Sequence, residues 1–548
     1  MFLRIIVLFF LSPIAQASEA ITNVHWASTL PPLIAILLAF LTRRIFLSLG
    51  LAVLVGSFIH ASQLTNAIAV TGGISTFLGY FAKNLTDPWN LKVIAFVLCI
   101  LSMITVIIIA GGFNALVNSV SQWANSRKKT QLMTYFCGLL VFIDDYANTM
   151  IVGSSMRPIN DQYKVSREKL AFIVDATSAP VAGLAIISTW IGYEVGLFSD
   201  GAKALSLPID GLSIFLDALV YRFYCILMLI LVLISILTQR EFGPMYLAEK
   251  RAITTGNLFD PSGNQYVKSV QNTRFPEVKN PSVSTALVPF ILLFIILLAG
   301  LWMDGGGLTE LSHSFFSIFY PTIWLNVIRH TENSSTILLS SAITGLITAI
   351  IFSLKKVQVK HILRALQSAF KNSLTPVGIL LLAWSLKSVC NDLHTADFLV
   401  NLLSPHINPV FLPLTIFFIA AVTSFGTGTS WGTMAILIPI TFPLAYALEG
   451  NSFGLITITC LAAVLDGSIF GDHCSPISDT TIMSSIASQC NHLDHVKTQL
   501  PYSLLTGLVA MFIGYLPAAL GWPSWISVAL GALFIYLFFR YAGKVVRA

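Results

Sequence analysis

The sequence predicts an all-α polytopic membrane protein with inverted repeats, about 11 spans and two re-entrant hairpins. Three observations carry that reading. Only 10% of the 548 residues are Lys, Arg, Asp or Glu, against about 25% in a typical soluble domain. The hydrophobic fraction is 55% and the mean hydropathy is +0.80. The few acidic residues inside apolar runs recur at matching places in two halves of the chain. A water-facing surface cannot be built from so few charges, which excludes a soluble enzyme, a nucleic-acid binder and a disordered scaffold. The expected partners are inorganic cations and the lipid bilayer, with no nucleic acid; a homodimer stays open.

Residues 1–17 combine Arg4, a short apolar run, and small residues at Ala15 and Ala17. They read as a secretory signal peptide cut after Ala17, which would place the mature N-terminus outside. Apolar stretches long enough to cross ~30 Å of hydrocarbon then follow at about 27–42, 45–62, 91–112, 170–190, 220–238, 284–302, 335–354, 370–389, 454–488, 501–520 and 523–540. Two stretches misfit. Lys129 and Arg157 enclose 130–156, and Asn408 and Glu449 enclose 409–448; as one helix the second would be about 60 Å long. Each has a polar centre, IDDYAN at 143–148 and SFGTGTSWG at 424–432. Both read as hairpins that enter halfway and return, because non-helical backbone at that depth needs protein or a water-filled cavity around it.

Basic residues fit this layout. Most of the 31 Lys and Arg fall on one side, including Arg43, Arg44, Arg127–Lys129, the 239–283 loop, Lys355 and Lys356. By the positive-inside rule that side is cytoplasmic, and orientation accounts for the net charge of +6. The stretch 191–219, with Glu194, Asp200, Asp210 and Asp217, reads as an outer loop. The polar segment 241–283 reads as a cytoplasmic linker between a first transmembrane half, 27–240, with an inward hairpin, and a second, 284–548, with an outward one. Thr149-Met150 is echoed by Thr433-Met434, and Ser178-Ala179-Pro180-Val181 by Cys474-Ser475-Pro476-Ile477. The seven cysteines are scattered without a CxxC, and read as small buried hydrophobes.

Six carboxylates fall within the membrane: Asp144, Asp145, Asp175, Asp466, Asp472 and Asp479. A charged Asp at a helix centre costs about 2.5–3.5 kcal/mol, so six facing lipid would cost about 15–20 kcal/mol. They must face the interior and be paired, protonated or cation-bound. Asp144-Asp145 is the strongest pair. Adjacent carboxylates away from water disfavour each other's charge, so the pair can hold a proton and release it to an arriving cation. Asn148 and Thr149 follow within one turn as further oxygen ligands. In the next span Pro180 frees a carbonyl, and Thr177 and Ser178 can supply oxygens. In the second half, Thr427, Thr429 and Ser430 lie where broken backbone would present carbonyls and hydroxyls to a bare cation. No phosphate loop is present, so no nucleotide cofactor is expected. The segment 466–481 concentrates Asp466, Ser468, Asp472, His473, Ser475, Ser478, Asp479 and Thr480; Na+ would bind at a subset of these positions. Asp472 and His473 could relay protons, although His473 reads equally well as a hydrogen-bonded core histidine. His492 and His495 read as a solvated turn. Lys387, near a span end, is the nearest basic residue to the motifs.

The segments GDHCSPISDTTIMSS (471–485), TSFGTGTSWGTMAILIPI (423–440) and FIDDYANTMIVG (142–153) closely resemble the NhaC-type Na+/H+ antiporters. VDATSAPVAGLAIISTWIGYE (174–194) and HLDHVKTQLPY (492–502) are similar to one subgroup of that family. The resemblance covers roughly 90–200 and 370–505. It implies a multi-pass secondary transporter of the bacterial inner (plasma) membrane that exchanges cytoplasmic Na+ for external H+. Some relatives move organic solutes, so a Na+-coupled amino acid or dicarboxylate carrier is the alternative. Asp-Asp-x-x-Asn at 144–148 also looks like the Mg2+–diphosphate motif of prenyl-phosphate transferases, a distant third reading from an enzyme class.

Overall fold

A computed structural model describes residues 26–546 apart from 43, 66–69, 260–277, 279–280, 314–317, 319, 321–322, 325–326, 328–329, 332 and 404–407. The expected signal segment, 1–17, lies outside the described residues. Among them, ten helices are long and apolar enough to cross a membrane. The number rises to twelve if two bent pairs, Arg167–Leu184 with Thr189–Ala204 and Gly211–Leu219 with Phe223–Thr238, each form one span. The protein is thus an all-α polytopic membrane protein, as the composition requires. Strand among the described residues is confined to a two-stranded antiparallel ribbon, with Arg240 opposite Val545 and Glu241 opposite Lys544.

Both misfitting stretches break where their polar centres lie. The first gives helices Arg127–Leu140 and Asp145–Gln162. Ser126 caps the entering arm by accepting from Lys129 N. Asp144 takes extended backbone (φ −150°, ψ 129°) and caps the returning arm by accepting from Ala147 N at 2.8 Å. The second gives Leu412–Thr427 and Ser430–Leu448. Thr429 caps its returning arm with nearly the same backbone (φ −150°, ψ 126°). Gly428 makes the turn at φ +69°, a left-handed conformation that favours glycine. A Cβ there would also sit 2.7 Å from Ile477 O.

Each hairpin leans on a helix broken at small polar residues. The first broken helix runs Arg167–Ala176, Thr177-Ser178, Ala179–Leu184. The second runs Leu455–Cys474, a break at 475–478, and Asp479–Ser488. The expected single stretch 454–488 is therefore two helices. Gly467 and Gly471 let the helix Leu455–Cys474 lie against Leu412–Thr427, where a Cβ would stand 2.5 Å from Phe417 O and 2.2 Å from Ala421 O. Small residues four apart allow this close backbone approach in membranes.

Two expectations about loops need correction, and one helix was not foreseen. Residues 191–219 are not an outer loop: most fall in the helices Thr189–Ala204 and Gly211–Leu219. Their acidic side chains are used internally, Glu194 against Arg222, Asp200 against Lys387 at 2.7 Å, and Asp210 as cap to Leu212 N. Part of the expected linker forms the helix Gly243–Thr255. Its buried Glu249 accepts from Arg127, Gln131 and Ser166 N. A further helix, Val70–Thr86, was not expected as a span at all. Its glycines, Asn84 and Lys83 keep its hydropathy low.

Candidate ion-binding site

The first hairpin tip is fastened by one amide. Asn148 Nδ2 donates to Gly138 O at 2.7 Å, Val141 O at 3.1 Å and Thr177 O at 3.1 Å. A helix end leaves carbonyls without partners; here Asn148 satisfies those of the entering arm and of the broken helix together. Gly138 has no side chain because a Cβ would stand 2.1 Å from Thr177 Oγ1. Thr149 turns its hydroxyl back to Tyr146 O at 2.9 Å.

This tip faces the helix Asp479–Ser488 of the second half. Tyr146 OH donates to Asp479 Oδ2, and Gly153 stands where a Cβ would meet Ala487 Cβ at 2.7 Å. Asp145 feels the charges of Asp144 and Asp479, and Asp472 those of Asp479 and Asp175. Five of the six sequence-selected carboxylates thus gather between the halves. Asp144, Asp145, Asp175 and Asp472 are buried, whereas Asp479 and its donor Tyr146 are exposed, so the cluster reaches the protein surface on the Asp479 side.

The donors to this cluster are mainly neutral. Asp144 accepts from Thr189 Oγ1 at 3.1 Å besides its own helix. Asp472 Oδ2 accepts from Thr480 Oγ1 at 2.5 Å. Asp479 Oδ1 accepts from Thr480 N at 2.9 Å. Asp175 accepts from Thr481 and Ser484 hydroxyls at 3.0 Å and from Gln499 Nε2 at 2.6 Å, with His495 Nε2 at 3.8 Å. No Lys or Arg pairs with any of the five among the described residues. Three buried oxygens, Asp145 Oδ1, Asp472 Oδ1 and Asn148 Oδ1, have no hydrogen-bond partner. Buried acceptors without donors are rare; a bare cation, a proton or a water would satisfy them, and Trp190 Nε1, likewise without a partner, interacts with Asp145. Among the described residues no three His, Cys, Asp or Glu side chains are grouped to hold a resident metal ion. A transported Na+ would therefore draw on hydroxyl, amide and carbonyl oxygens as well.

Other sequence-selected residues are placed differently. Asp466 is committed elsewhere: it accepts from Arg222 Nε at 2.8 Å, Tyr224 N at 2.6 Å and Tyr515 OH at 2.8 Å. Ser468, Thr177 and Ser178 turn their hydroxyls to carbonyls of their own helices, at Val464, Ile173 and Asp175. Ser475 donates to Phe425 O at 2.8 Å, tying the second hairpin to the second broken helix. Ser478 caps Asp479–Ser488. Thr427, Thr429 and Ser430 lie at the second hairpin tip, and the hydrogen bonds of Thr427 and Thr429 stay within that hairpin. His473 accepts or donates at Nδ1 with Tyr224 OH at 2.9 Å, while its Nε2 is bare.

Sequence reasoning missed the buried cation. Arg222 is fully buried, paired with Asp466 and, at 3.5 Å, with Glu194. Its only signal was an arginine at the edge of an apolar run. It also read the buried His495 as part of a solvated turn, and it missed Gln499 and Tyr146.

Carboxylates gathered inside a helical membrane protein, beside helices broken at polar residues, are what an ion-coupled transporter requires. The comparisons specify which. The sequence model of the Na+/H+ antiporter family matches residues 181–522, and the chain belongs to that family. An uncharacterized protein of Haemophilus influenzae is 30% identical over 505 residues, 89% of this chain and 90% of its own. The malate-2H+/Na+-lactate antiporter of Bacillus subtilis is 32% identical over 114 residues, 20% of this chain and 23% of its own. In fold the chain is similar to the YdaH transporter of Alcanivorax borkumensis, with a TM-score of 0.55 at 14% identity over 89% of this chain and 99% of that one. The family is one of antiporters, not enzymes, and so is the Bacillus subtilis relative, which sets the prenyl-phosphate reading aside.

Proposed function

We propose that the protein exchanges cytoplasmic Na+ for external H+ across a bacterial inner membrane. The observation that carries this is the carboxylate cluster, buried at Asp144, Asp145, Asp175 and Asp472, without a Lys or Arg partner among the described residues, and with bare oxygens on Asp145, Asp472 and Asn148. In a site with little water a lone carboxylate is costly unless it is protonated or bound to a cation. Proton and Na+ therefore exclude each other there, and that exclusion couples the two fluxes. Asp145 and Asp472 would bind the ions, with Asp144 and Asn148 holding the hairpin tip and Asp479 at the mouth. Rocking of one half against the other would expose the cluster by turns.

Everted membrane vesicles carrying the protein, with a pH-sensitive dye inside, test this. Added Na+ or Li+ should discharge a preformed pH gradient, and Asp145→Asn should abolish the response. A wild-type protein that moves no protons would show the exchange reading to be wrong. Na+-driven uptake of labelled malate, lactate or amino acids in the same vesicles would favour the organic-solute alternative. Arg222, the buried guanidinium such a substrate carboxylate would want, is already engaged by Asp466 and Glu194.

A further inference from the structure

We propose that His492, Ser485 and His495 form a proton relay from the protein surface to Asp175; this rests on the proton-exchange reading above and names the route the proton takes. His492 is partly exposed and starts the helix His492–Val509. Its Nε2 lies 2.6 Å from Pro476 O, so that nitrogen carries a hydrogen, and its Nδ1 lies 3.1 Å from Ser485 Oγ. On the other side of that hydroxyl, 2.9 Å away, is Nδ1 of the fully buried His495. His495 Nε2 lies 2.9 Å from Gln499 Oε1 and 3.8 Å from Asp175 Oδ2. The hydrogen-bonded chain runs from a partly exposed ring to His495, which stands 3.8 Å from a carboxylate with none of its surface exposed.

The hydroxyl is what makes the chain conduct. Ser485 can donate to Thr481 O, 2.7 Å away, or to either imidazole. When His495 is neutral, Ser485 donates to its Nδ1. When His495 is charged, its Nδ1–H donates to Ser485, whose hydrogen rotates to Thr481 O. His495 Nδ1 and Ser485 Oγ each keep a partner in both states, so His495 can gain or lose a proton without being left unsatisfied. An ordinary structural histidine is held in one tautomer by fixed partners.

The steps balance. A proton arrives on His492 Nδ1 and passes to Ser485 Oγ, while the hydroxyl's own proton moves to His495 Nδ1. His495 Nε2–H then swings from Gln499 Oε1 toward Asp175 Oδ2, closing by about 1 Å to hydrogen-bond distance, and gives up its proton. One proton has entered at the surface and one rests on Asp175. The reverse sequence, or a flip of the His495 ring, resets the relay. The groups facing His495 are Asp175 from the first broken helix, Ser485 and Thr481 from the second, and His492 and Gln499 from its own helix; Asp472 and His473 lie behind Asp175.

The test uses purified full-length protein in proteoliposomes. Ser485→Ala should lower Na+-driven proton flux at least tenfold at alkaline pH, where proton arrival limits, and by less at acid pH. Ser485→Thr keeps a hydroxyl and should stay within twofold of wild type. His492→Gln should be slowed and then restored in part by added imidazole. A wild-type rate and pH profile in Ser485→Ala would overturn the relay. A second measurement separates it from the exchange reading: infrared spectroscopy after a pH jump, following the carboxyl band that Asp175→Asn removes. That band should form more slowly in Ser485→Ala whether or not Na+ is coupled; equal rates would again overturn the relay.

Discussion

Asp466 and Asp472 stand on the same helix, both fully buried, yet their surroundings differ in kind. Asp466 receives a guanidinium, a backbone amide and a phenol, and its charge is matched. Asp472 receives one threonine hydroxyl on one oxygen and nothing on the other, with other carboxylates as its electrostatic neighbours. The first arrangement fixes a charge; the second leaves room for one. Burial of an acid in a membrane therefore does not by itself mark an ion path. The missing partner does.

The largest expected effect probes the paired cluster. Arg222→Met leaves Asp466 and Glu194 buried without compensation, and removing one partner of a buried ion pair costs about 3–5 kcal/mol. Thermal unfolding in detergent should show it, and Arg222→Met combined with Asp466→Asn should recover part. A single mutant as stable as wild type breaks the comparison. The unpaired cluster should behave in the opposite sense. Asp145→Asn and Asp472→Asn should lose about 100-fold in exchange rate, near 2.7 kcal/mol of barrier, while melting at or above the wild-type temperature, as expected where function keeps a destabilised site. A large drop in melting temperature would move these residues into the paired category.

Next comes the backbone that positions Asp472. Gly471→Ala would force a methyl to within 2.2 Å of Ala421 O. Overpacking of this kind costs about 1–3 kcal/mol, and exchange should fall with it, because the helix carrying Asp472 must shift. Unchanged stability would show that the contact is soft. The smallest effect distinguishes the two hairpin tips. Thr429→Ala removes a cap and should cost about 1 kcal/mol, whereas Asp144→Asn keeps a good cap and should be within a few tenths. If Asp144→Asn nonetheless slows exchange, Asp144 acts through its charge as well as its cap.

What the sequence disclosed follows from energy. Carboxylates and broken backbone are so costly in hydrocarbon that their presence at 143–148, 424–432 and 466–481 marked the helix breaks in advance. Elements whose signals cancel were hidden, whether the cancelling partner lies 28 positions away, as Arg222 does from Glu194, or 187, as Lys387 does from Asp200. Thr189–Ala204 carries Glu194 and Asp200, and it read as a loop because their partners Arg222 and Lys387 lie outside the helix. Val70–Thr86 was diluted by Gly, Asn and Lys. The relay was invisible for the same reason as the Arg222 cluster: His495 means little until Asp175, 320 positions earlier, is known to face it.

The pairing of Arg222 with Asp466 also sets a timetable for making the protein. The two residues are 244 positions apart. At about 5–20 residues per second, the ribosome needs roughly 12–50 s to deliver the carboxylate after the arginine. Over that interval the guanidinium has Glu194 and the Gly183 carbonyl within reach, but its Nε lacks the Asp466 carboxylate. An arginine only partly paired is costly in hydrocarbon, which favours keeping the start of the helix Phe223–Thr238 near the headgroups or the insertion machinery until the second half is made. Burial of Arg222 is a late event in biogenesis, and the first half completes its interior only when the second half arrives.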